Sequence, residues 1–107
     1  NGKAKRELIY VDDLAHACVF FMNKKTKSKI INIGTGKDYS IKYYAELFKK
    51  IILKDKKIKI KYDKSKPNGT KRKVLDISLA KKYGWKPRTS LKDAITKSYQ
   101  SFLKEIN

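Results

Sequence analysis

The sequence holds one cysteine, two prolines and only three arginines in 107 residues, and no long apolar run. A lone cysteine, Cys18, makes neither an internal disulfide nor a cysteine zinc site, which predicts a reducing, intracellular setting. No stretch approaches the roughly 18 apolar residues of a membrane-spanning helix. The basic start, residues 1–6, leads into no signal-peptide core. A cytoplasmic location and no membrane partner are therefore expected. Few prolines and glycines with 40% hydrophobic residues favour folding over disorder, and the length suits one domain with a modest core. Acidic residues are scarce as well, ten against 28 basic ones, for a net charge of +18. Such a field attracts polyanions and nucleotides, so a small basic nucleic-acid-binding module is one reading. Against it, the cations are lysines spread along the whole chain, apart from Arg6, Arg72 and Arg88. Base readout and bidentate phosphate clamps favour arginine.

Strand and helix patterns alternate. Residues 7–11 are rich in strand formers. Asp12 or Asp13 is expected to cap a helix over about residues 13–22, apolar almost all round and so largely buried. Residues 29–33 predict a second strand, closed by Gly34-Thr35-Gly36. Ser40 is expected to cap a helix over about residues 41–53, with Tyr44, Ala45 and Phe48 on its core face. Lysine alternates with apolar residues over 57–62, the pattern of a half-buried strand. Ser78 should cap a short helix ended by Gly84, and Ser90 the last helix. The fold class is α/β, with three to four short strands and about four helices. That is too few strands for a complete doubly wound sheet, so the chain is expected to complete a larger α/β protein.

The candidate chemistry is sparse. Gly34-Thr35-Gly36 stands between a strand and a helix, as in a dinucleotide fingerprint, but Tyr39 occupies the place of the third glycine. A turn needing positive φ explains the glycines as well. Tyr62 and Lys66 match a Tyr-x-x-x-Lys spacing, yet Pro67 disfavours the helix that spacing requires. His16 and Cys18 face different ways on one helix and predict a core imidazole and a core thiol rather than a metal site. Asn68-Gly69-Thr70 is a glycosylation sequon without a secretion signal. No nucleophile–base–acid set is visible, so no catalytic or metal residue is assigned. What remains is Arg6, just before a strand, and the loop of residues 65–73. Pro67 and Asn68-Gly69 predict a tight turn there that gathers Lys66, Lys71, Arg72 and Lys73, with Val74-Leu75 as an apolar anchor. The loop reads either as a solvated lysine-rich turn or, with Arg6, as a grip for a diphosphate.

Three segments carry a family resemblance. Residues 6–15, Arg-Glu-Leu-Ile-Tyr-Val-Asp-Asp-Leu-Ala, resemble the Arg-Glu-Phe-Leu-Tyr-Val-Asp-Asp-Leu-Ala segment of extended short-chain dehydrogenases. Residues 32–36 resemble their Asn-Val-Gly-Thr-Gly. Residues 65–76 are similar to the Ser-Lys-Pro-Asp-Gly-Thr-Pro-Arg-Lys-Leu-Leu-Asp loop of the GDP-L-fucose synthase family, and Gly84-Trp85-Lys86-Pro87 continues the likeness. The resemblance implies that residues 1–107 form a single C-terminal substrate-binding domain whose Rossmann cofactor domain lies outside this chain. It implies an NADPH-dependent enzyme converting GDP-4-keto-6-deoxy-D-mannose to GDP-L-fucose, by epimerisation at C3 and C5 and reduction at C4. NADP(H) would be bound by the complete enzyme and not by this part, which alone would be inactive. The implied partners are a GDP-sugar, the chain's own N-terminal Rossmann portion and a second copy in a homodimer. Arg6 matches the family arginine at the nucleotide diphosphate, Lys73 a lysine in the substrate site, and Asn68 replaces the family aspartate. Lys71 in place of a proline and Tyr43 in place of a capping glutamate leave room for a sister enzyme on another GDP-6-deoxy-sugar.

Overall fold

A computed structural model describes residues 1–54 and 57–107. Three two-residue strands, β1 (Lys5–Arg6), β2 (Tyr39–Ser40) and β3 (Arg72–Lys73), form one small sheet in the order β2-β1-β3. β1 pairs antiparallel with β2 and parallel with β3. The helices are α1 (Val11–Met22), α2 (Ile41–Phe48), α3 (Ser78–Lys82) and α4 (Leu91–Ile106). α2 runs on into a wider π-type turn, Lys49–Leu53. The α/β class therefore stands, although the strands lie elsewhere than the periodicity suggested. Residues 7–10, 29–33 and 57–62 carry strand-forming sequences but join no ladder among the described residues. Strand propensity describes a side chain that fits a pleated surface, and a ladder also needs a neighbour. The sidedness survives without it: Lys59 and Lys61 are exposed while Ile60 and Tyr62 are half-buried.

Local signals place the helix ends. The Ser40 hydroxyl accepts from the Tyr43 N–H at 3.0 Å, and the Ser90 hydroxyl from the Asp93 N–H at 3.2 Å. Each satisfies one of the donors that a helix start leaves open. Gly84 has φ +100° and closes α3, a conformation that suits glycine. Two expected caps differ. Ser78 is the first residue of α3, and Asp76 supplies the bond, its carboxylate accepting the Ser78 N–H at 2.9 Å. α1 starts after Tyr10 with no side-chain cap. Asp13 instead faces the segment before α4, where its carboxylate accepts the backbone N–H groups of Arg88 (3.2 Å) and Thr89 (3.0 Å) and the Thr89 hydroxyl (2.9 Å). Its three donors lie 75 and 76 residues away, beyond the reach of any capping rule.

The core is small. Ala17, Ala80 and Trp85 form its buried centre, flanked by Ile9, Phe20, Phe21, Ile31 and Ile33. Trp85 is buried and its indole N–H donates to His16 Nδ1 at 3.1 Å, so His16 is satisfied as expected, but at the edge of the core and half-buried rather than within it. Cys18 is exposed rather than a core thiol. The same cause corrects α1 as a whole: only Asp13 and Ala17 on it are buried, and Val11, Val19 and Met22 are more than half exposed. The molecule measures 51 × 36 × 19 Å. Among the described residues, a plate 19 Å thick has no second layer to cover the outer face of that helix.

Replacing Asp13 by Ala would leave three buried or half-buried donors without an acceptor. Hydrogen bonds to a charged group contribute roughly 1.5–3 kcal/mol each, not additively. Asp13→Ala is expected to lower stability by about 3 kcal/mol in urea unfolding, while Asp12→Ala, on the exposed side, changes it by less than about 1 kcal/mol.

Candidate functional site

The basic loop is held from three directions. Its reversal, over residues 63–66, lies three residues earlier than the Pro67-Gly69 signal suggests. Asp63 makes it, with its carboxylate accepting the Ser65 N–H at 3.0 Å and its carbonyl the Lys66 N–H at 3.3 Å. The Ser65 hydroxyl, which donates to the same carboxylate oxygen, and after it the Ser65 N–H hold the Asp63 carboxyl below its ordinary range. Gly69 then takes φ +72°, and Asn68 stays at negative φ. The far end is tied by the Glu7 carboxylate, which accepts the Leu75 N–H at 3.1 Å. Of the expected anchor, Val74 is half-buried and Leu75 exposed; the buried apolar residue is Ile77, two positions on.

Arg6 supplies the third hold. Its Nη1 donates to the carbonyls of Lys5 and Thr70, both at 2.7 Å, and its Nη2 reaches the Asn68 carbonyl at 3.5 Å. A Cβ on Gly69 would stand 3.2 Å from Nη2, so the turn passes close over the guanidinium. The guanidinium has five N–H donors. Among the described residues these carbonyls take three, and five less three leaves two. Lys73 is the register partner of Arg6 across the parallel pair. Side chains in register share a face of the sheet, so the two cations stand on one side. Asn68 joins them through its carbonyl, while its side-chain oxygen accepts from the Asn1 nitrogen at 2.9 Å.

On the opposite face Arg72 is paired. Arg72 makes a two-point bridge to Asp38, Nε to Oδ2 at 2.6 Å and Nη2 to Oδ1 at 3.0 Å. This hydrogen bond, ahead of the opposing effect of partial burial, holds the Asp38 carboxyl below its ordinary value. The bridge joins β3 to the approach of β2 and leaves Arg72 committed, so the loop offers fewer free cations than its sequence suggests.

The Gly34-Thr35-Gly36 turn is also occupied from within. Glu7 Oε2 accepts the Gly36 N–H at 2.6 Å and the Thr35 hydroxyl at 3.4 Å. A Cβ on Gly34 would lie 2.7 Å from that carboxylate, and Gly36 has φ +74°. An internal carboxylate sits where a dinucleotide would need to place its pyrophosphate, so these residues do not fit that cofactor. Tyr62 and Lys66 lie outside any helix, as the proline indicated. Sequence reasoning missed Glu7 and Asp38, whose partners are 28 to 68 residues away.

A groove of about 680 Å³ opens between α2 and α4. Leu8, Tyr10, Tyr39, Tyr44, Arg88 and Leu91 are among its walls, and Arg6, Asn68 and Lys73 are not. Its volume is of ligand size, and it lies beside the two cations rather than around them. Tyr44 links the groove to the cations by donating its hydroxyl to the Arg6 carbonyl at 2.8 Å. Burial is the main cause of the raised pKa of Tyr44, which keeps the phenol a donor.

The model of the family described as GDP-mannose 4,6 dehydratase matches residues 1–98. GDP-L-fucose synthase 1 of Arabidopsis thaliana is 38% identical over 106 residues, 99% of this chain and 32% of that protein. GDP-L-colitose synthase of Yersinia pseudotuberculosis is 40% identical over 108 residues, 100% of this chain and 34% of that protein. Among solved structures, the GDP-mannoheptose C4 reductase of Campylobacter jejuni, with NADP bound, superposes with a TM-score of 0.80 at 34% identity, over 96% of this chain and 33% of that one. The chain thus spans about a third of the length of the relatives it matches.

The Asp38–Arg72 bridge predicts an acid-sensitive link. A carboxyl whose folded-state pKa is lowered contributes stability in full above its ordinary value, about 3.8, and loses it as pH falls through the lowered value. Unfolding followed from pH 6 to pH 2 should show this component in the wild type. Asp38→Asn should be less stable at pH 6 and converge on the wild type at the acid end.

Proposed function

Because the chain belongs to the GDP-mannose 4,6-dehydratase family, we propose that it is the substrate-binding part of an NADP(H)-dependent 3,5-epimerase and 4-reductase that makes GDP-L-fucose from GDP-4-keto-6-deoxy-D-mannose. The observation that carries this reading is the register pairing of Arg6 with Lys73 beside the loop that Arg6 itself clamps. Two cations on one sheet face, one offering a planar fork and one a point charge, suit the adjacent phosphates of a nucleoside diphosphate. Asn68 shapes the loop through its carbonyl, and its side-chain oxygen is taken by Asn1, which leaves the amide NH2 to meet the sugar nucleotide. NADP(H) belongs to the complete enzyme, where it supplies the hydride. The residues of this chain bind and orient the substrate.

The rest of the enzyme is proposed to be the chain's own N-terminal Rossmann portion. The exposed apolar side chains of α1, among them Val11, Val19 and Met22, give it a face to cover. A second reading is favoured by the colitose synthase relative at 40% identity: a sister enzyme acting on another GDP-linked deoxy-sugar. Product analysis with GDP-4-keto-6-deoxy-D-mannose as substrate separates the two. Binding to a long nucleic acid would show itself by a steep loss of affinity with salt, whereas one diphosphate gives a shallow dependence.

In the full-length protein, Arg6→Ala and Lys73→Ala should each raise KM for the GDP-sugar about tenfold or more, the scale of one charge-assisted contact. The affinity for NADPH should stay the same. Steady-state kinetics and a separate NADPH titration check this. Equal losses for both ligands, or unchanged kinetics, would count against the assignment.

A further inference from the structure

The sheet register defines a row that crosses all three strands. Tyr39 on β2, Arg6 on β1 and Lys73 on β3 are partners in sequence across it. Partners in register share a face, so the side chains of Tyr39, Arg6 and Lys73 leave the sheet on the same side. With a strand spacing of about 4.8 Å, the backbone of Tyr39 lies about 5 Å from that of Arg6 and about 10 Å from that of Lys73. The next row, Ser40, Lys5 and Arg72, belongs to the opposite face, where Arg72 is committed to Asp38.

Tyr39 is held in place. Its ring stacks on Tyr43 with centroids 4.6 Å apart and planes 16° apart, and meets Tyr44 edge-on at 5.8 Å. Tyr44 in turn donates to the Arg6 carbonyl, so the aromatic cluster and the cation are fixed to one another. Tyr39 also lines the groove and so remains open to a ligand. A fixed tyrosine offers a large flat surface at little conformational cost. Every nucleobase has a face that stacks on such a ring.

We propose that Tyr39, backed by Tyr43, is the surface on which the base of the nucleotide stacks, so that the row reads a nucleoside diphosphate from base to phosphate. The inference rests on the GDP-sugar reading above and adds a base subsite to it. A purine gains more from such stacking than a pyrimidine because it covers more of the ring.

The test is calorimetric titration of the full-length protein with GDP and with inorganic pyrophosphate. Tyr39→Ala should weaken GDP binding about tenfold, within the range of base–aromatic stacking, and leave pyrophosphate binding unchanged. Tyr39→Phe should bind GDP like the wild type, because the ring and not the hydroxyl makes the contact. Should Tyr39→Ala fail to fold, Tyr39→Leu keeps bulk against Tyr43 and should show the same selective loss. Undiminished GDP affinity in Tyr39→Ala or Tyr39→Leu, or equal losses for GDP and pyrophosphate, overturns the base subsite. Arg6→Ala separates this from the underlying reading, since it should weaken both ligands whatever Tyr39 does. A wild-type protein that binds neither ligand overturns both.

Discussion

The carboxylate of Glu7 ties together stretches that are far apart in the chain. One oxygen takes the Gly36 N–H and the Thr35 hydroxyl, and the other takes the Leu75 N–H. The glycine turn before β2 and the segment after β3 are thereby fixed to the residue that follows β1. With strands of only two residues, the ladder has few hydrogen bonds of its own. A charged acceptor with three donors contributes more than an equal number of neutral bonds. The sheet register, and with it the placing of Arg6 beside Lys73, depends on this side-chain tie as much as on the ladder.

Arg6 and Glu7 are adjacent and do opposite work. Arg6 gathers carbonyls from the loop before β3, and Glu7 takes one N–H, that of Leu75, from the segment after it. Both flanks of β3 are therefore held by side chains on or beside β1. Arg72 adds a third hold through Asp38 on the other face. In a chain with 28 basic and ten acidic residues, several of the few acids sit at such points. Asp13, Glu7, Asp38, Asp63 and Asp76 each accept bonds that fix a loop or a helix start. The excess lysines lie mostly on the surface, where they shape the field rather than the fold.

What the sequence made legible was local. Ser40, Ser90 and Gly84 act within three or four residues, and their helix ends follow from the residue types alone. The basic loop was legible as a cluster of cations but not in its geometry, since Asp63 and not Pro67-Gly69 makes its reversal; the bonds from Arg6 to the Asn68 and Thr70 carbonyls span more than 60 residues and were not legible at all. The strands were not, because Lys5 pairs with Arg72 across 67 positions and no short pattern encodes that choice. Asp13 looked like a helix cap because it stands at a helix start; its real donors come from the far end of the chain. α1 looked buried because it is apolar all round, yet this chain covers one flank only. Its exposed apolar face agrees with a chain a third as long as its relatives.

The central claim is that Arg6 and Lys73 together hold the two phosphates of a sugar nucleotide. A crystal structure of the full-length protein with GDP bound tests it most directly. The account predicts the Arg6 guanidinium and the Lys73 ammonium within about 2.7–3.2 Å of diphosphate oxygens. A diphosphate bound elsewhere, with both side chains turned to solvent, would contradict it.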